Sequence, residues 1–509
     1  LFFVYKPLNF FCLKLTLILL TLIILGNPTY QWDAWAIWLF KAKRIYFEQS
    51  LFFPFDDYAP WSHNDYPLIA PTFAASLGTL IGGWNNIFPK LAFLLMYLFF
   101  CFVLCFPVIV SEIAIGRNTK RNAIGAFNEM GHKKWNFIGK MGVLCGILIL
   151  SFYTIVAGWV LGYVIEMIKG NFDISNSFGA YVNNIQNVLL YSFIFMFSTA
   201  FIVSRGVEKG IEKTAKILMP SLIFIIISLI IYALTLPNAI DGIKFYLIPD
   251  FSQINLTIAG NALGQAFFSL SLGMGMLITY GSYVDKKNNI INSAALITLT
   301  DVGIAFLSGL IIFPFIFSSG VESAGGPGLI FEVFPKIFSS LGDKTGILVG
   351  SVFFILLSFA AITSTVSLLE VPVSYLVDEF KIERKISVWL VALIILMIGI
   401  PSALSQGKSE FFTNFITYFG SDKPIDFMTF IIDVSNDTLL PLGGFLITLY
   451  VSYVWGKSNL SSEIESGNSS YKNSLIEKYI NFSLSYVCPL ILGSIFILTF
   501  LNKFFGFSF

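Results

Sequence analysis

The sequence is poor in the residues that build most soluble active sites. Of 509 residues only two are histidine, His63 and His132, and only five are cysteine. Cys12, Cys101, Cys105, Cys145 and Cys488 lie in or beside apolar runs, with no CxxC pair and no histidine cluster. That spacing excludes a zinc site and a disulfide framework and leaves small core residues. The two histidines are far apart in sequence and are expected to be solvated. Charge is scarce too: 12% of residues are charged and the formal net charge is +1. Such a balance gives no electrostatic basis for binding nucleic acid or a strongly acidic partner. What is abundant is apolar surface, with 56% hydrophobic and 17% aromatic residues. No single soluble core could enclose it, so the expected class is an all-α, multi-pass membrane bundle with the lipid bilayer as its solvent. The chain opens on Leu1 and not on methionine, so its true start is expected upstream.

Lys6 and Lys14 precede an apolar run from Leu15 to Leu25, which predicts a helix entering from the cytoplasm, the side that retains positive loops. The stretch Cys12 to Gly26 has no convincing small-residue cleavage site, so no cleaved signal peptide is expected. Residues 27 to 66 then lie outside. A short apolar segment, Leu68 to Gly83, leads through Trp84 and Phe88-Pro89-Lys90 into a full span from Leu91 to Ile115. One straight helix from Pro67 to Gly116 would far exceed a bilayer at about 1.5 Å per residue, so a break is expected near Gly82 to Pro89. The span after Lys90 must run inward to bring Arg117, Lys120, Arg121, Lys133, Lys134 and Lys140 to the cytoplasm. Segment 68 to 83 is therefore re-entrant or interfacial, or two unrelated sequences are joined here. Further spans are expected at 137 to 169, 188 to 203, 217 to 236, from near Leu256, at 290 to 317, 346 to 377, 388 to 404, 427 to 455 and 480 to 501. Basic residues fall at alternate ends, in SRGVEKGIEKTAK, VDKKNN and DEFKIERK, as one consistent topology requires. The Ser- and Asn-rich run at 458 to 475 is expected to be a flexible cytoplasmic link.

Three spans carry polar residues that need an explanation. Gly264 to Tyr283, GQAFFSLSLGMGMLITYGSY, holds Ser269, Ser271, Gly273 and Gly275 in its middle. One reading is a broken helix, tolerable in lipid only where the freed backbone faces protein, an ion, a substrate or water. The other is a small-residue face for close helix packing. Asp301, in LITLTDVGIAF, is a carboxylate inside an apolar span, which is costly and signals function unless a structural Lys or Arg pairs with it; the seventh span offers none. The eighth span carries Thr363, Ser364, Thr365 and Ser367, whose hydroxyls either bond back to their own helix or supply the oxygen ligands that a hard cation such as sodium requires.

The run GQAFFSLSLGMGMLITYGSYV resembles the sixth helix of the neurotransmitter:sodium symporter family, whose unwound centre binds amino acid and sodium. The resemblance runs from Ala92 and Phe93 through FPVIVSEIAIGR at 106 to 117 and SFYTIVAGWVLGY to the C-terminus. It implies the inverted-repeat fold over 92 to 509 and alternating access in a bacterial inner membrane. Residue by residue it implies a first sodium site at Ser269 and Asp301 and a second at the Ala360 carbonyl, Thr363 and Ser364. It implies a substrate site in which Tyr153 meets the carboxylate, Phe268 forms a lid, Ser269 is shared with sodium, and Ser271, Met274, Ser364 and Leu368 line the rest. That pocket is uncharged, which implies a neutral, hydrophobic amino acid. Ala305 stands where chloride-dependent members have serine, and Asp301 adds a negative charge where the family has asparagine, so no chloride is expected. Glu112 matches a family carboxylate read as structural. The family's first broken helix is missing or replaced: residues 1 to 91 read as a foreign segment, and GGWNNIFPKLAF at 82 to 93 imitates its motif only faintly. Residues 31 to 35 and 62 to 67 weakly resemble the first external loop of membrane glycosyltransferases, which would make Asp33 a catalytic base; the alternative is an interfacial aromatic belt. The sequence thus leaves open a symporter, a chimeric scaffold without transport, and an enzyme fragment.

Overall fold

The computed structural model describes residues 101–247, 268–319 and 328–507, apart from 177, 420 and 422. The expectations for residues 1 to 91, including Asp33 and the break near Gly82, lie outside the described residues, as does the start of the sixth span.

Among the described residues eight helices are long and apolar enough to cross a membrane. The chain enters them through α1, Phe106–Thr119, and continues with α2 (Asn136–Ile168), α3 (Ile185–Ser204), α4 (Lys213–Leu234) and the short α5 (Ala239–Leu247). After the break come α6 (Met276–Ser282), α7 (Ile290–Ser319), α8 (Asp343–Phe380) and α9 (Arg384–Leu404). The Phe427–Glu465 span contains α10, Leu440–Leu449, and ends in α11, Lys457–Glu465; α12, Cys488–Phe505, completes the Leu475–Phe505 span. These spans fall where apolar runs predicted them.

Burial separates a centre from a rim. The apolar window of the span containing α2 is 72% buried, against 22% for the one containing α4. The bundle is therefore built around α2, which packs most extensively on α8 and also on α3 and α9, while α4 turns residues such as Phe224 and Ile231 outward to lipid. The broken segment is held from the other side by α1. A methyl added at Gly116 on α1 would run into the Ile278 carbonyl of α6, so only glycine lets these two backbones approach so closely.

Two expectations about loops are corrected. Residues 458 to 475 are not wholly a flexible link. Within them α11 is fixed because Glu463, which is buried, pairs with the fully buried Arg117 at 2.7 Å and with Lys286, while Arg117 also donates to the Asn288 carbonyl at 2.6 Å. A buried guanidinium needs such partners, and they come from two separate stretches of chain, 286 to 288 and 463 to 466. His132 is not simply solvated either. Its Nδ1 lies 2.8 Å from the hydroxyl of Tyr450, a wholly buried ring that it meets edge-on. The described cysteines, Cys101, Cys105, Cys145 and Cys488, are buried, as small core residues should be.

Candidate functional site

The site is organised by the break that the serines and glycines of the sixth span predict. Helical geometry stops after Ser269 and resumes at Met276. Between them Ser271, Gly273 and Gly275 take φ of 56°, 78° and 72°. Gly273 could be nothing else: beyond its positive φ, an added Cβ would strike the Leu440 carbonyl and sit 2.8 Å from the Gly444 nitrogen on α10. The reading as a mere small-residue packing face is thus replaced by a true interruption that is also closely packed. An interruption in lipid leaves backbone groups unpaired, and one of them is accounted for. The Gly273 N–H donates to Glu112 Oε1 at 2.8 Å, from a glutamate of α1 that is wholly buried. Glu112 is therefore a structural carboxylate that holds the break.

On the N-terminal side of the break, Ser269 Oγ donates to both carboxylate oxygens of Asp301 on α7, at 2.9 and 2.8 Å. Ser269 is exposed and Asp301 half-buried, so this oxygen cluster is reachable. No Lys or Arg pairs with Asp301 among the described residues, and the two residues assigned from sequence to one cation site are in direct contact.

The hydroxyls of α8 take three different sets of partners. Thr363 Oγ1 donates to the Ala360 carbonyl at 2.7 Å and Ser364 Oγ to the same carbonyl at 3.3 Å. This is the back-bonding reading, yet it leaves the lone pairs of both hydroxyls free to accept, so three oxygens stand together on one turn. Ser364 is exposed and also meets the Tyr153 phenol of α2. Thr365 points elsewhere, to Thr199 on α3 at 2.9 Å, and Ser367 receives the Tyr280 hydroxyl of α6 at 3.2 Å. A helix turns about 100° per residue, so four hydroxyls within five positions cannot share one face.

Of the remaining substrate candidates, Met274 and Leu368 are buried in the same core cluster, Phe268 packs half-buried against it, and Ser271 is half-buried in the break. Ala305 is exposed on α7, one turn from Asp301. Nothing in the direct contacts joins Phe268 or Met274 to the Ser269–Asp301 pair; their placement follows from sharing the break.

One cluster near the site escaped the sequence reading. Glu370 on α8, wholly buried, pairs with both arms of Arg384 at the start of α9, one of them at 3.0 Å, and accepts the Tyr283 hydroxyl at 2.7 Å. Arg384 Nε in turn donates to the Val203 carbonyl at the end of α3 at 3.1 Å. The signal was available: Glu370, like Asp301, is a carboxylate inside an apolar run. This cluster ties the C-terminal half of the broken helix to α8, α9 and α3.

The chain is similar to known proteins. The sodium:neurotransmitter symporter family matches residues 171–505. YhdH, an uncharacterized sodium-dependent transporter of Bacillus subtilis, is 35% identical over 418 residues, which is 81% of this chain and 89% of that protein. The sodium-dependent serotonin transporter of Drosophila melanogaster is 27% identical over 46% of this chain and 40% of its own length. The crystal structure of MhsT in complex with L-phenylalanine superposes with a TM-score of 0.72 at 38% identity, covering 80% of this chain and 91% of that one. The helical bundle described here is the fold of that structure.

Proposed function

We propose that this chain, which belongs to the sodium:neurotransmitter symporter family, carries a neutral, hydrophobic amino acid together with sodium. Members of the family are sodium-coupled secondary transporters of the membrane and not enzymes, so the open questions are the cargo and the residues that hold it. The observation that carries the reading is the Ser269–Asp301 contact at the broken helix, at 2.8 to 2.9 Å. A sodium ion there would take the serine oxygen and the carboxylate as hard ligands, joining the break to α7. A second ion would take the Ala360 carbonyl, Thr363 and Ser364 on α8.

Between them the substrate would place its carboxylate at Tyr153, beneath Phe268, with its side chain against Ser271, Met274 and Leu368. None of these side chains is charged, which supports a neutral cargo, as does the L-phenylalanine bound in the MhsT structure. Coupling then needs no covalent step. An ion held between two helices favours the conformation in which they are closed around the substrate, and only by the difference in its affinity for the two states. Asp301 supplies the negative charge beside sodium and Ala305 has no hydroxyl to offer an anion, which supports chloride independence.

The test is uptake by proteoliposomes carrying the purified chain. An inward sodium gradient should drive accumulation of neutral hydrophobic amino acids, unchanged when gluconate replaces chloride. Uptake of charged amino acids only, or accumulation driven equally by potassium, would reject the reading.

A further inference from the structure

We propose that the cytoplasmic junction of α3 and α4 binds the phosphate of an anionic phospholipid, with an acyl chain lying along α3. None of the residues lining the junction's cavity belongs to the candidate transport site. α3 ends at Ser204, Gly206 turns the chain at φ 91°, and a π-helical turn, Val207–Glu212, leads into α4. The turn encloses a cavity of about 230 Å³ lined on its polar side by Arg205, Lys209, Lys213 and Thr214 and on its membrane side by Phe201 and Ile217. The three cations are exposed, and none pairs with a carboxylate among the described residues. Of the two nearby acids, Glu212 is engaged by Lys216 at 2.7 Å and Glu208 does not line the cavity. Three donors converging on one small space, with a threonine beside them, suit the oxygens of a phosphate diester.

The apolar half of the site identifies the ligand as a lipid. Phe193, Phe197 and Phe201 recur every four residues on α3 and are 56%, 48% and 44% exposed. They form one outward stripe that ends at Arg205, whose guanidinium lies 4.1 Å from the Phe201 ring centroid. From Phe193 to Phe201 the helix rises about 12 Å, close to the roughly 15 Å depth of one leaflet's hydrocarbon, so Arg205 falls at headgroup level. A free phosphate would gain nothing from the stripe. A zwitterionic headgroup would find its ammonium facing three cations, and the Phe201 face that could receive it is covered by Arg205. Charge distribution assigns this end of the bundle to the cytoplasm, the side on which basic residues meet anionic lipid.

Native mass spectrometry of the purified, delipidated chain in detergent, titrated with phosphatidylglycerol or phosphatidylcholine, tests the site. The expected result is preferential retention of one phosphatidylglycerol, weakened at least about tenfold in the R205Q/K209Q/K213Q variant, since each basic residue contributes severalfold at a membrane surface. K133Q/K134Q/K140Q removes the same charge from the same face and should retain the lipid as the unaltered chain does. A thermal unfolding scan of both variants shows whether each remains folded; F197A/F201A, which keeps all three cations, should also weaken retention and stands in if the first variant unfolds. Equal retention of the two lipids, equal loss in the R205Q/K209Q/K213Q and K133Q/K134Q/K140Q variants, or displacement of phosphatidylglycerol by millimolar inorganic phosphate would overturn the proposal.

Discussion

Replacing Glu112 by leucine or by glutamine isolates the hydrogen bond that α1 makes to the backbone of the break. The Gly273 N–H and Glu112 Oε1 are 2.8 Å apart and both residues are buried, so no water can substitute for a lost acceptor. Leucine leaves the amide orphaned, at about 1–3 kcal/mol, which corresponds to about 5- to 150-fold in an equilibrium constant. Because only the binding-competent fraction is reduced, the apparent dissociation constant for the amino acid should rise by at most that factor. Glutamine keeps the acceptor. Its amide nitrogen replaces Oε2, which has no hydrogen-bond partner among the described residues, so its effect should be confined to a few-fold, near the low end of the penalty for an unpaired buried group of about 1 kcal/mol. Sodium-dependent binding of radiolabelled amino acid, with thermal unfolding of the same preparations, gives the comparison. An E112L protein that binds and melts like the unaltered chain would refute the claim that this bond organises the break. So would E112Q being as weak as E112L.

Other substitutions probe separate parts of the site. Gly273→Ala combines a left-handed backbone, about 1–2 kcal/mol, with overpacking against α10, about 1–3 kcal/mol, and should abolish binding while lowering the unfolding temperature. Thr363→Ala should raise the sodium concentration for half-maximal binding about tenfold, whereas Thr365→Ala, whose hydroxyl bonds Thr199, should cost about 1 kcal/mol of stability and leave the sodium dependence unchanged. Arg117→Gln leaves the buried Glu463 with Lys286 and the Asn118 amide on Oε2 and removes the guanidinium from Oε1, and the lower unfolding temperature should reflect about 3 kcal/mol.

How much of this was legible in the chain depends on whether a residue announces its own role or borrows it from a distant partner. The break was legible because Gly273 and Gly275 suit a left-handed backbone and the neighbouring Ser269 and Ser271 are polar in the middle of an apolar span. Asp301 was conspicuous because a carboxylate in an apolar run is rare, although its bond to Ser269 spans 32 positions and follows from the family resemblance, not from spacing. Glu370 obeyed the same rule and was passed over, since its partner Arg384 sits in a basic stretch already explained by membrane sidedness. Composition misled at residues 458 to 475: serine and asparagine favour loops, but one buried pair, Glu463 with Arg117, is enough to fix a helix there. The hydroxyl cluster of α8 was legible as proximity; the rotation of the helix carries Thr365 away from Thr363 and Ser364, while Ser367 lies one turn beyond Thr363 and donates to its carbonyl at 3.1 Å.

The central claim is that sodium and an amino acid meet at the break beside Asp301. Equilibrium binding of radiolabelled L-phenylalanine and L-leucine to the purified chain across a sodium titration, with Asp301→Ala in parallel, addresses it most directly. Saturable binding that requires sodium and disappears in the variant is the predicted result. A folded, monodisperse protein that shows no sodium-dependent binding, or a D301A variant that binds as well as the unaltered chain, would contradict it.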